Sequence, residues 1–457
     1  MVLLLPGCNP HGTEGPEQEG AGLTATRDKG FYTFTYESTD AHGKPVTLSS
    51  ALIAWTAGAS IETVIIACHI TVTNDSGCPS MHAQAPLMND VMMMAAVPGS
   101  SENGPLSHSI IIMPDYEGYG ISRDRPHPYL ARELTARQVI DGVLEGLRLY
   151  SQTPGALPLA QEWKSIALGY SQGGAVAVAV ARQLEETGMD ERLHFAGTMA
   201  GDAPLDLPAT LRYYIEDNGD TGGYRTSHRR GKVVMPVTLP LIIQGMLCSQ
   251  SALDGYDASD YLSKQMLDTG ILEQLAGKEL STDDFMKVHY TLCENGLTAA
   301  DGTIYTPAQM QELFPSHGKS DSWMGSSYYV TADITKMMAP GVCDYLTSSG
   351  EGAGAGGGSQ GSGATASEAL VRMSQVLREN SLTQGWTPTH PIVLAHSHYD
   401  TVVPFVNASL FMEAFPNSPI RLNVFSESDH GGAGTTFCRG LAMGTFDRDV
   451  NWILGMQ

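Results

Sequence analysis

The segment around Ser171 constrains the fold of this chain more than any other part of the sequence. The hexapeptide Gly169–Gly174 (GYSQGG) follows an apolar strand candidate, Ser165–Leu168, and opens a helix candidate of small residues, Gly173–Leu184. A serine hydroxyl is a weak nucleophile unless a strained, exposed turn holds it beside a base, and glycines two residues before and after it permit so sharp a turn. The order of strand, turn and helix therefore predicts a nucleophile elbow at Ser171.

Strand and helix candidates alternate in both the first and the last parts of the chain. A β-hairpin candidate, Phe31–Tyr36 with Val46–Trp55, is followed by apolar runs of strand length and by segments with helical periodicity. This alternation predicts an α/β fold, a mostly parallel sheet with helices on both faces. The further strand candidates are Val64–Ile70, Ser109–Met113, Ser165–Leu168, Leu193–Ala200, Pro391–His396 and Ile420–Phe425, and the helix candidates are Ala85–Ala96, Leu134–Tyr150, Gly173–Leu184, Ser367–Glu379, Val406–Phe415 and Thr445–Leu454.

One long insertion interrupts this alternation. It contains irregular turns, the uncharged run Val233–Leu253, and helical patches at Ala258–Leu275, Thr282–Leu292 and Pro307–Phe314, and we expect it to form a cap. A glycine-rich stretch follows, with the composition of a flexible linker. The predicted parts are an N-terminal tether or signal remnant (1–30), the first half of the core (31–204), an inserted cap or lid (205–345), a linker (346–366) and the second half of the core (367–457).

An acid and a histidine follow the serine in the chain, each after a strand candidate. Asp400 follows Pro391–His396, and His430 follows Ile420–Phe425. The fold requires both residues on loops at the carboxyl ends of strands, where they can approach Ser171. There, His430 would accept the serine proton as general base, and Asp400 would fix the imidazole tautomer and stabilise the imidazolium. The sequence therefore predicts a triad of Ser171, Asp400 and His430.

Two other arrangements of the same residues stay open. Asp429 is a rival acid beside His430, although the sequence neighbours of a catalytic histidine seldom point at its ring. His396, His398 and Asp400 stand at positions i, i+2 and i+4, so an extended segment would place all three on one face as metal ligands. No fourth ligand for such a site is signalled in the sequence.

The chemistry of a serine nucleophile also requires an oxyanion hole, in which two N–H groups point at the developing negative charge. One donor is expected to be the backbone N–H of Gln172, directly after the nucleophile. The other is expected from the loop after the third strand, His69–Val72, with Thr71 as the candidate.

The charge balance excludes one class of partners. The 457 residues include 26 Lys and Arg against 49 Asp and Glu, a formal net charge of −23. A chain this acidic repels a phosphate backbone, so we expect no binding to nucleic acid. The longest uncharged stretch, Val233–Leu253, contains two prolines and several polar groups, so no membrane-spanning helix is expected.

The N-terminus and the cysteines bear on the compartment. The start MVLLLPGC resembles the end of a bacterial lipoprotein signal in which Cys8 becomes lipidated, but it lacks a positive n-region. Either the true start lies upstream or the match arises by chance. Without Cys8, six of the seven cysteines remain, which fits three disulfides or, alternatively, ordinary buried thiols. We expect a secreted or cell-envelope protein, attached to a membrane if Cys8 is lipidated.

Several motifs together give the chain a family likeness. They are Gly43–Val46 (GKPV), Met113–Gly120 (MPDYEGYG), His127–Leu130 (HPYL), the elbow, and Asp400 with Val403-Pro404. In combination they resemble the α/β-hydrolase superfamily, and more closely its secretory lipase branch and bacterial relatives, over residues 31–204 and 385–440. The resemblance implies an α/β-hydrolase fold with an inserted cap, hydrolysis of small-molecule or lipid carboxylic esters without a cofactor, and triad roles for Ser171, Asp400 and His430.

Two alternative functions fit the same pattern. A serine peptidase of this fold would use the same residues, so only the turnover of peptides against esters separates it from an esterase. A non-catalytic binding protein would keep the fold as a scaffold, but binding alone gives no physical reason to hold all three triad residues. The sequence indicates no oligomeric state.

Overall fold

The structure is a computed structural model, and it describes most of the chain in separate stretches. These stretches contain the candidate serine, aspartate and histidine. The described residues are 23–25, 30–54, 58–82, 104–216, 232–233, 235–282, 285, 297–299, 304–305, 328–330, 332–348, 367–400, 402–425 and 429–456.

A nine-stranded sheet forms the centre of the described structure. Its spatial order is β1-β2-β3-β5-β4-β6-β7-β8-β9; β1, β2, β3 and β5 pair antiparallel, and all pairs from β5–β4 to β8–β9 are parallel. The strands are β1 Thr24–Ala25, β2 Phe31–Thr39, β3 Pro45–Ile53, β4 Ile61–Cys68, β5 Ser109–Pro114, β6 Leu159–Tyr170, β7 Phe195–Gly201, β8 Ile392–Ser397 and β9 Ile420–Phe425. The expected hairpin is the antiparallel pair β2–β3.

The central strands are apolar along their whole length because both faces of the sheet are covered. Every residue of β5 and of β8 is buried. In β4, Val64 and Ile66 belong to one apolar cluster and Ile65 to another, as the two-residue period of a strand requires. The α/β architecture expected from the alternation of strands and helices is confirmed.

Helices pack on both of these faces. Helices Arg132–Ser151 and Gln172–Thr187 contribute Val139, Val143 and Val176 to the cluster that contains Val64, whereas the two C-terminal helices contribute Phe437 and Ile453 to the other. The helical segments of the described residues are Asp75–Gly77, Pro79–His82, Gly120–Ser122, Arg132–Ser151, Gln172–Thr187, Met189–Arg192, Leu207–Glu216, Thr238–Ser249, Ser251–Leu253, Ala258–Asp260, Lys264–Leu267, Ile271–Gly277, Ile334–Met337, Val342–Ser348, Glu368–Glu379, Val406–Ala414, His430–Ala442 and Asp447–Leu454.

Described residues between β7 and β8 join the apolar cluster on one face of the sheet. In the uncharged run, helix Thr238–Ser249 buries Leu239, Leu241 and Ile243 in the same cluster as Val64. Short two- and three-residue strands also occur here: Lys232–Val233 pairs with Ala332–Asp333, and Leu297–Ala299 pairs with Ile304–Tyr305 and Tyr328–Val330. The division of the chain into core, cap and linker stays a prediction.

The helical patch expected over Ala258–Leu275 consists of a 3₁₀ turn and two short helices. The Ser263 side chain caps the start of the first short helix by accepting the Met266 N–H, and Gly270 has a φ of +71° that ends the run of right-handed backbone. The helix candidates Ala85–Ala96 and Pro307–Phe314, most of Thr282–Leu292, and residues 349–366 of the predicted linker lie outside the described residues, whereas residues 346–348 end a helix.

The described helices include none that is both long and apolar enough to cross a bilayer. Cys8 also lies outside the described residues, so its lipidation and the secreted or cell-envelope location stay predictions.

The expectation of three disulfides is wrong. Only Cys293 of the six cysteines lies outside the described residues, so at least two bonds would have to join the other five, and none does. Cys68 and Cys438 belong to the apolar clusters on opposite faces of the sheet, so the sheet separates them. Burial raises the pKa of the Cys68 thiol, and it raises the pKa of Cys248 to about 12, which favours the protonated thiols.

Two glycines allow the nucleophile helix to approach the sheet. A Cβ atom on Gly173 would overlap the carbonyl oxygen of Cys68 at the end of β4, and a Cβ on Gly169 would overlap the carbonyl oxygen of Gly173. The overlapping atoms are backbone atoms of packed elements, which cannot move aside like the end of a flexible side chain. These contacts explain why small residues are needed on both sides of Ser171.

We predict that Gly173→Ala destabilises the fold by about 1–3 kcal/mol or more, because the added methyl group overpacks the strand–helix contact. Gly277→Ala is the matched control, since the nearest atom to its Cβ would lie 3.9 Å away on a flexible glutamate. Urea unfolding followed by circular dichroism measures both variants. Equal stability of the two would contradict the close approach at Gly173.

Candidate active site

The Ser171 hydroxyl lies on a strained turn between β6 and helix Gln172–Thr187. The residue has φ +55° and ψ −124°, a conformation that costs a non-glycine residue about 1–3 kcal/mol. The backbone hydrogen bonds on both sides hold this conformation: the Ser171 N–H donates to the Gly201 carbonyl at 2.8 Å, and the Ala175 N–H donates to the Ser171 carbonyl at 3.2 Å. The elbow geometry expected from the sequence is therefore present at this position.

Asp400 lies in the loop that follows β8. Its carboxylate is buried, and its Oδ1 accepts the backbone N–H groups of Val402 and Val403, both at 2.7 Å. These two bonds form an Asx-type turn, the kind of local structure that aspartate supports. They leave Oδ2 to face the neighbouring elements.

His430 begins a helix, His430–Ala442, and does not lie in a loop as the sequence suggested. Asp429 caps this helix by accepting the Gly432 N–H at 2.8 Å. The helix contains Gly431, Gly432 and Gly434 within its first five residues, a composition with low helix propensity, so the sequence pattern did not reveal it.

The three predicted triad residues are joined by two hydrogen bonds. His430 Nδ1 lies 2.5 Å from Asp400 Oδ2, and His430 Nε2 lies 3.0 Å from Ser171 Oγ. With the proton on Nδ1, the imidazole donates to the carboxylate and presents the Nε2 lone pair to the serine hydroxyl. The arrangement can therefore accept a proton from Ser171.

Burial and mutual attraction oppose each other at this pair. Burial disfavours the charged forms of both groups, but the attraction between them outweighs it. The pKa of the Asp400 carboxyl is therefore lowered, and the pKa of His430 is raised, relative to their ordinary values. An ionised Asp400 beside an imidazole that readily takes up a proton is what a general base needs.

In the described residues, Asp429 and the two histidines near Asp400 make contacts other than those that the two alternative arrangements require. The Asp429 carboxylate caps the helix, while the His430 ring hydrogen bonds to Asp400. The alternative metal set does not form in the described residues, because His396 Nε2 donates to the Val403 carbonyl at 3.0 Å and the His398 ring packs on Phe405. A cluster of three potential ligands does occur, but it consists of Asp202, Asp400 and His430.

Of the predicted oxyanion donors, Gln172 directly follows Ser171, and Thr71 lines the same cavity as Ser171. Gln172 is the first residue of its helix, so its backbone N–H has no acceptor within the helix. Its side chain is fixed by a 2.8 Å bond from Nε2 to His127 Nε2. Burial lowers the pKa of His127 to about 3, so this ring is a neutral acceptor.

The loop that carries Thr71 is anchored by a buried histidine. The two ring nitrogens of His69 lie 2.7 Å from the Ile70 carbonyl and 3.0 Å from the Asp115 carbonyl, and the ring stacks on Tyr116. The Thr71 hydroxyl contacts that of Tyr129 at 2.8 Å. The oxyanion roles of Gln172 and Thr71 stay predictions.

A cavity of about 110 Å³ opens beside Ser171 and His430. Its other walls are mostly apolar or small and include Ile70, Met235 and Cys438. A larger cavity, of about 540 Å³, is lined by Arg132, Arg137, Arg182 and other polar residues and contains none of the three triad residues. The smaller cavity is therefore the one that could place an apolar substrate group against the serine.

Comparison with known proteins identifies the fold. No protein-family model and no curated protein sequence matches the chain. Solved structures do match. A Legionella pneumophila protein named provisionally as a hydrolase matches with a TM-score of 0.61 and 16% identity over 92% of this chain and 88% of its own. The rice cell wall degrading esterase LipA of Xanthomonas oryzae matches with a TM-score of 0.58 and 17% identity over 90% of this chain and 89% of its own. Candida antarctica lipase A matches with a TM-score of 0.54 and 12% identity over 93% and 82%.

These similarities, together with the sheet order and the elbow, define an α/β-hydrolase fold. The resemblance inferred from the sequence motifs is confirmed at the level of the fold. Because the identities lie between 12% and 17%, the activities in the neighbours' names belong to those proteins.

Two residues at this edge of the sheet were not predicted from the sequence. Asp202 directly follows β7, and Tyr170 directly precedes the serine; both are buried and hydrogen bonded to each other at 2.6 Å. A signal for Asp202 was present, since it is an acidic residue two positions after the strand candidate Leu193–Ala200. It was obscured because Asp400 already satisfied the required order of serine, acid and histidine.

We predict that Asp400→Asn lowers the pKa of His430 below its wild-type value, since the carboxylate is the main attraction that keeps a proton on the ring. A pH titration of the His430 ring protons by NMR measures the shift. Asp429→Asn is the control and should lower this pKa by less, because Asp429 does not hydrogen bond to the ring. A larger shift in the control would make Asp429 the acid partner.

Proposed function

We propose that this protein is a serine hydrolase that cleaves carboxylic esters, as an esterase or lipase. Ser171 is the nucleophile, His430 the general base and acid, and Asp400 the residue that orients and stabilises the imidazole. The observation that carries the proposal is the hydrogen-bonded series Asp400–His430–Ser171, with contacts of 2.5 Å and 3.0 Å, beside an apolar cavity. An ester carbonyl could approach the serine from this cavity.

The reaction requires four steps, each of which couples a proton transfer to the making or breaking of a bond. Ser171 Oγ attacks the ester carbonyl carbon, and its proton passes to His430 Nε2. The carbon–oxygen bond to the alcohol then breaks as His430 returns the proton to the leaving oxygen. Water then attacks the acyl-enzyme as His430 takes its proton. The Ser171–acyl bond breaks as His430 returns this proton to Ser171 Oγ, which releases the carboxylic acid and restores the enzyme.

Charge on the tetrahedral intermediates needs N–H donors. We assign this role to the backbone N–H groups of Gln172 and Thr71. The Gln172 N–H lies at a helix N-terminus, where the helix dipole also favours negative charge. The fixed His127–Gln172 contact and the anchored His69 loop keep both donors in place before the substrate binds.

The substrate class rests on the cavity and on the structural neighbours. Apolar walls beside the serine suit an acyl chain, and two neighbours are named as an esterase and a lipase. A small-molecule or lipid ester is therefore the proposed substrate, and the described residues that line the cavity include no carboxylate to bind a peptide amine.

We predict that Ser171→Ala reduces hydrolysis of short p-nitrophenyl esters by about 10⁶-fold, because the nucleophile is lost. A fluorophosphonate probe should label the wild-type protein at Ser171 and leave this variant unlabelled, as mass spectrometry of the peptides would show. Ser151→Ala, at an exposed serine at the end of helix Arg132–Ser151, is the matched control and should behave as the wild type. Esterase activity that survives in Ser171→Ala would refute the assignment.

The peptidase alternative predicts a different substrate profile. Rates on p-nitrophenyl esters of increasing acyl length, compared with rates on peptide p-nitroanilides, separate the two. We expect ester turnover to dominate. Probe labelling together with turnover of peptides alone would keep Ser171 as nucleophile and overturn the ester assignment.

A further inference from the structure

A second buried carboxylate, Asp202, lies beside the triad and connects its parts. It follows β7 with φ +36°, is fully buried, and its N–H donates to the Ala395 carbonyl of β8 at 2.9 Å. Its Oδ1 accepts the Ser397 N–H at 2.6 Å, three residues before Asp400. Asp202 therefore holds the end of the strand from which the Asp400 loop begins.

The other carboxylate oxygen of Asp202 connects to the histidine. Asp202 Oδ2 lies 2.6 Å from the Tyr170 hydroxyl, and the same hydroxyl lies 2.5 Å from the backbone carbonyl of His430. Tyr170 thus joins Asp202 to the residue that must present its ring to Ser171.

The three oxygen atoms of Asp202 Oδ2, the Tyr170 hydroxyl and the His430 carbonyl need two protons for their two close contacts. A tyrosine hydroxyl has one proton, and a backbone carbonyl has none. If Asp202 were ionised, two close oxygen–oxygen contacts would share the single Tyr170 proton, and one of them would set lone pair against lone pair. A proton on Asp202 Oδ2 resolves this, because Asp202 then donates to Tyr170 and Tyr170 donates to His430.

Among the surrounding charges, Asp400 favours a proton on Asp202, whereas His396 and His430 oppose it when they are protonated. Asp202, Asp400 and His430 place ligand atoms within 4.8 Å of one another, and two carboxylates so close in a buried site do not both ionise readily. Asp400 accepts two backbone N–H groups and the imidazole, which favours its ionised form. Burial raises the pKa of Asp202, while it also raises that of Tyr170 and so keeps the tyrosine proton in place. The titratable groups facing Asp202 are Tyr170 of β6, His396 of β8, Asp400 of the following loop and His430 of the last-but-one helix.

We propose that Asp202 is a positioning residue that carries a proton and that aligns both the base and the acid of the triad, His430 through Tyr170 and Asp400 through Ser397. The proposal rests on the proposed function for its catalytic consequence, but not for the hydrogen bonds themselves. Asp202 does not touch the reacting atoms and acts only through its neighbours.

Kinetics on p-nitrophenyl esters test the positioning role. Asp202→Ala removes both connections, and we expect kcat to fall about 100-fold with KM unchanged, the size of effect that a misplacement near 1 Å produces. Asp202→Asn should recover kcat to within about fivefold of the wild type, because an amide can donate to Tyr170 and accept from Ser397. A kcat for Asp202→Ala equal to the wild type, or an Asn variant as slow as the Ala variant, would overturn the proposal.

The pH profile tests the proton. An ionised Asp202 would raise the pKa of His430, so replacing it by Asn would move the acidic limb of kcat/KM to lower pH. A protonated Asp202 has no charge to remove, and we expect the limbs of the wild type and the Asn variant to coincide. A shift of the limb to lower pH by about one unit or more would show that Asp202 is ionised.

Two readouts do not depend on turnover. The infrared carbonyl band of a protonated carboxylic acid should be present in the wild type and absent from Asp202→Asn. The low-field NMR resonance of the His430 Nδ1 proton, assigned by its loss in His430→Ala, should persist in Asp202→Asn and weaken or disappear in Asp202→Ala and Tyr170→Phe. If both readouts appear as expected in a protein without esterase activity, the proposed function is wrong and this inference stands. If both are absent from an active esterase, the proposed function stands and this inference is wrong.

Discussion

The contact between Asp400 and His430 is the interaction on which the site depends. Both groups are buried, and burying either charge alone would cost several kcal/mol. The structure offsets this cost with hydrogen bonds, since Val402 and Val403 donate to the carboxylate on one side and the imidazole donates to it on the other. The sheet makes this possible, because it brings the carboxyl ends of β6, β7 and β8 to one edge.

The same edge supports the strain at Ser171. A non-glycine residue with φ +55° persists only when its neighbours determine its conformation. Here the β6 strand, the Gly201 carbonyl and the close packing of Gly173 on β4 all restrain the turn. Strain and buried charge therefore occur together where parallel strands end, and the packed sheet stabilises both.

Ser171, Asp400 and His430 could be selected from the sequence because each follows a strand with a local signal: apolar runs of known length, and a turn that only glycines permit. Features that depend on tertiary contacts could not be predicted in this way. The helix that starts at His430 is glycine-rich and held by the Asp429 cap and by the burial of Phe437. Cysteine parity suggested disulfides, but parity contains no information about which face of a sheet each thiol occupies.

Asp202 illustrates the difference between recognising residues and understanding a site. An order of serine, acid and histidine is a rule about the chain, and it is satisfied without Asp202. Its participation follows only from counting protons among Tyr170, Asp202 and the His430 carbonyl, which requires coordinates. At 12–17% identity the neighbours have the same fold as this chain. The evidence for its chemistry is therefore such contacts and not the activities in the neighbours' names.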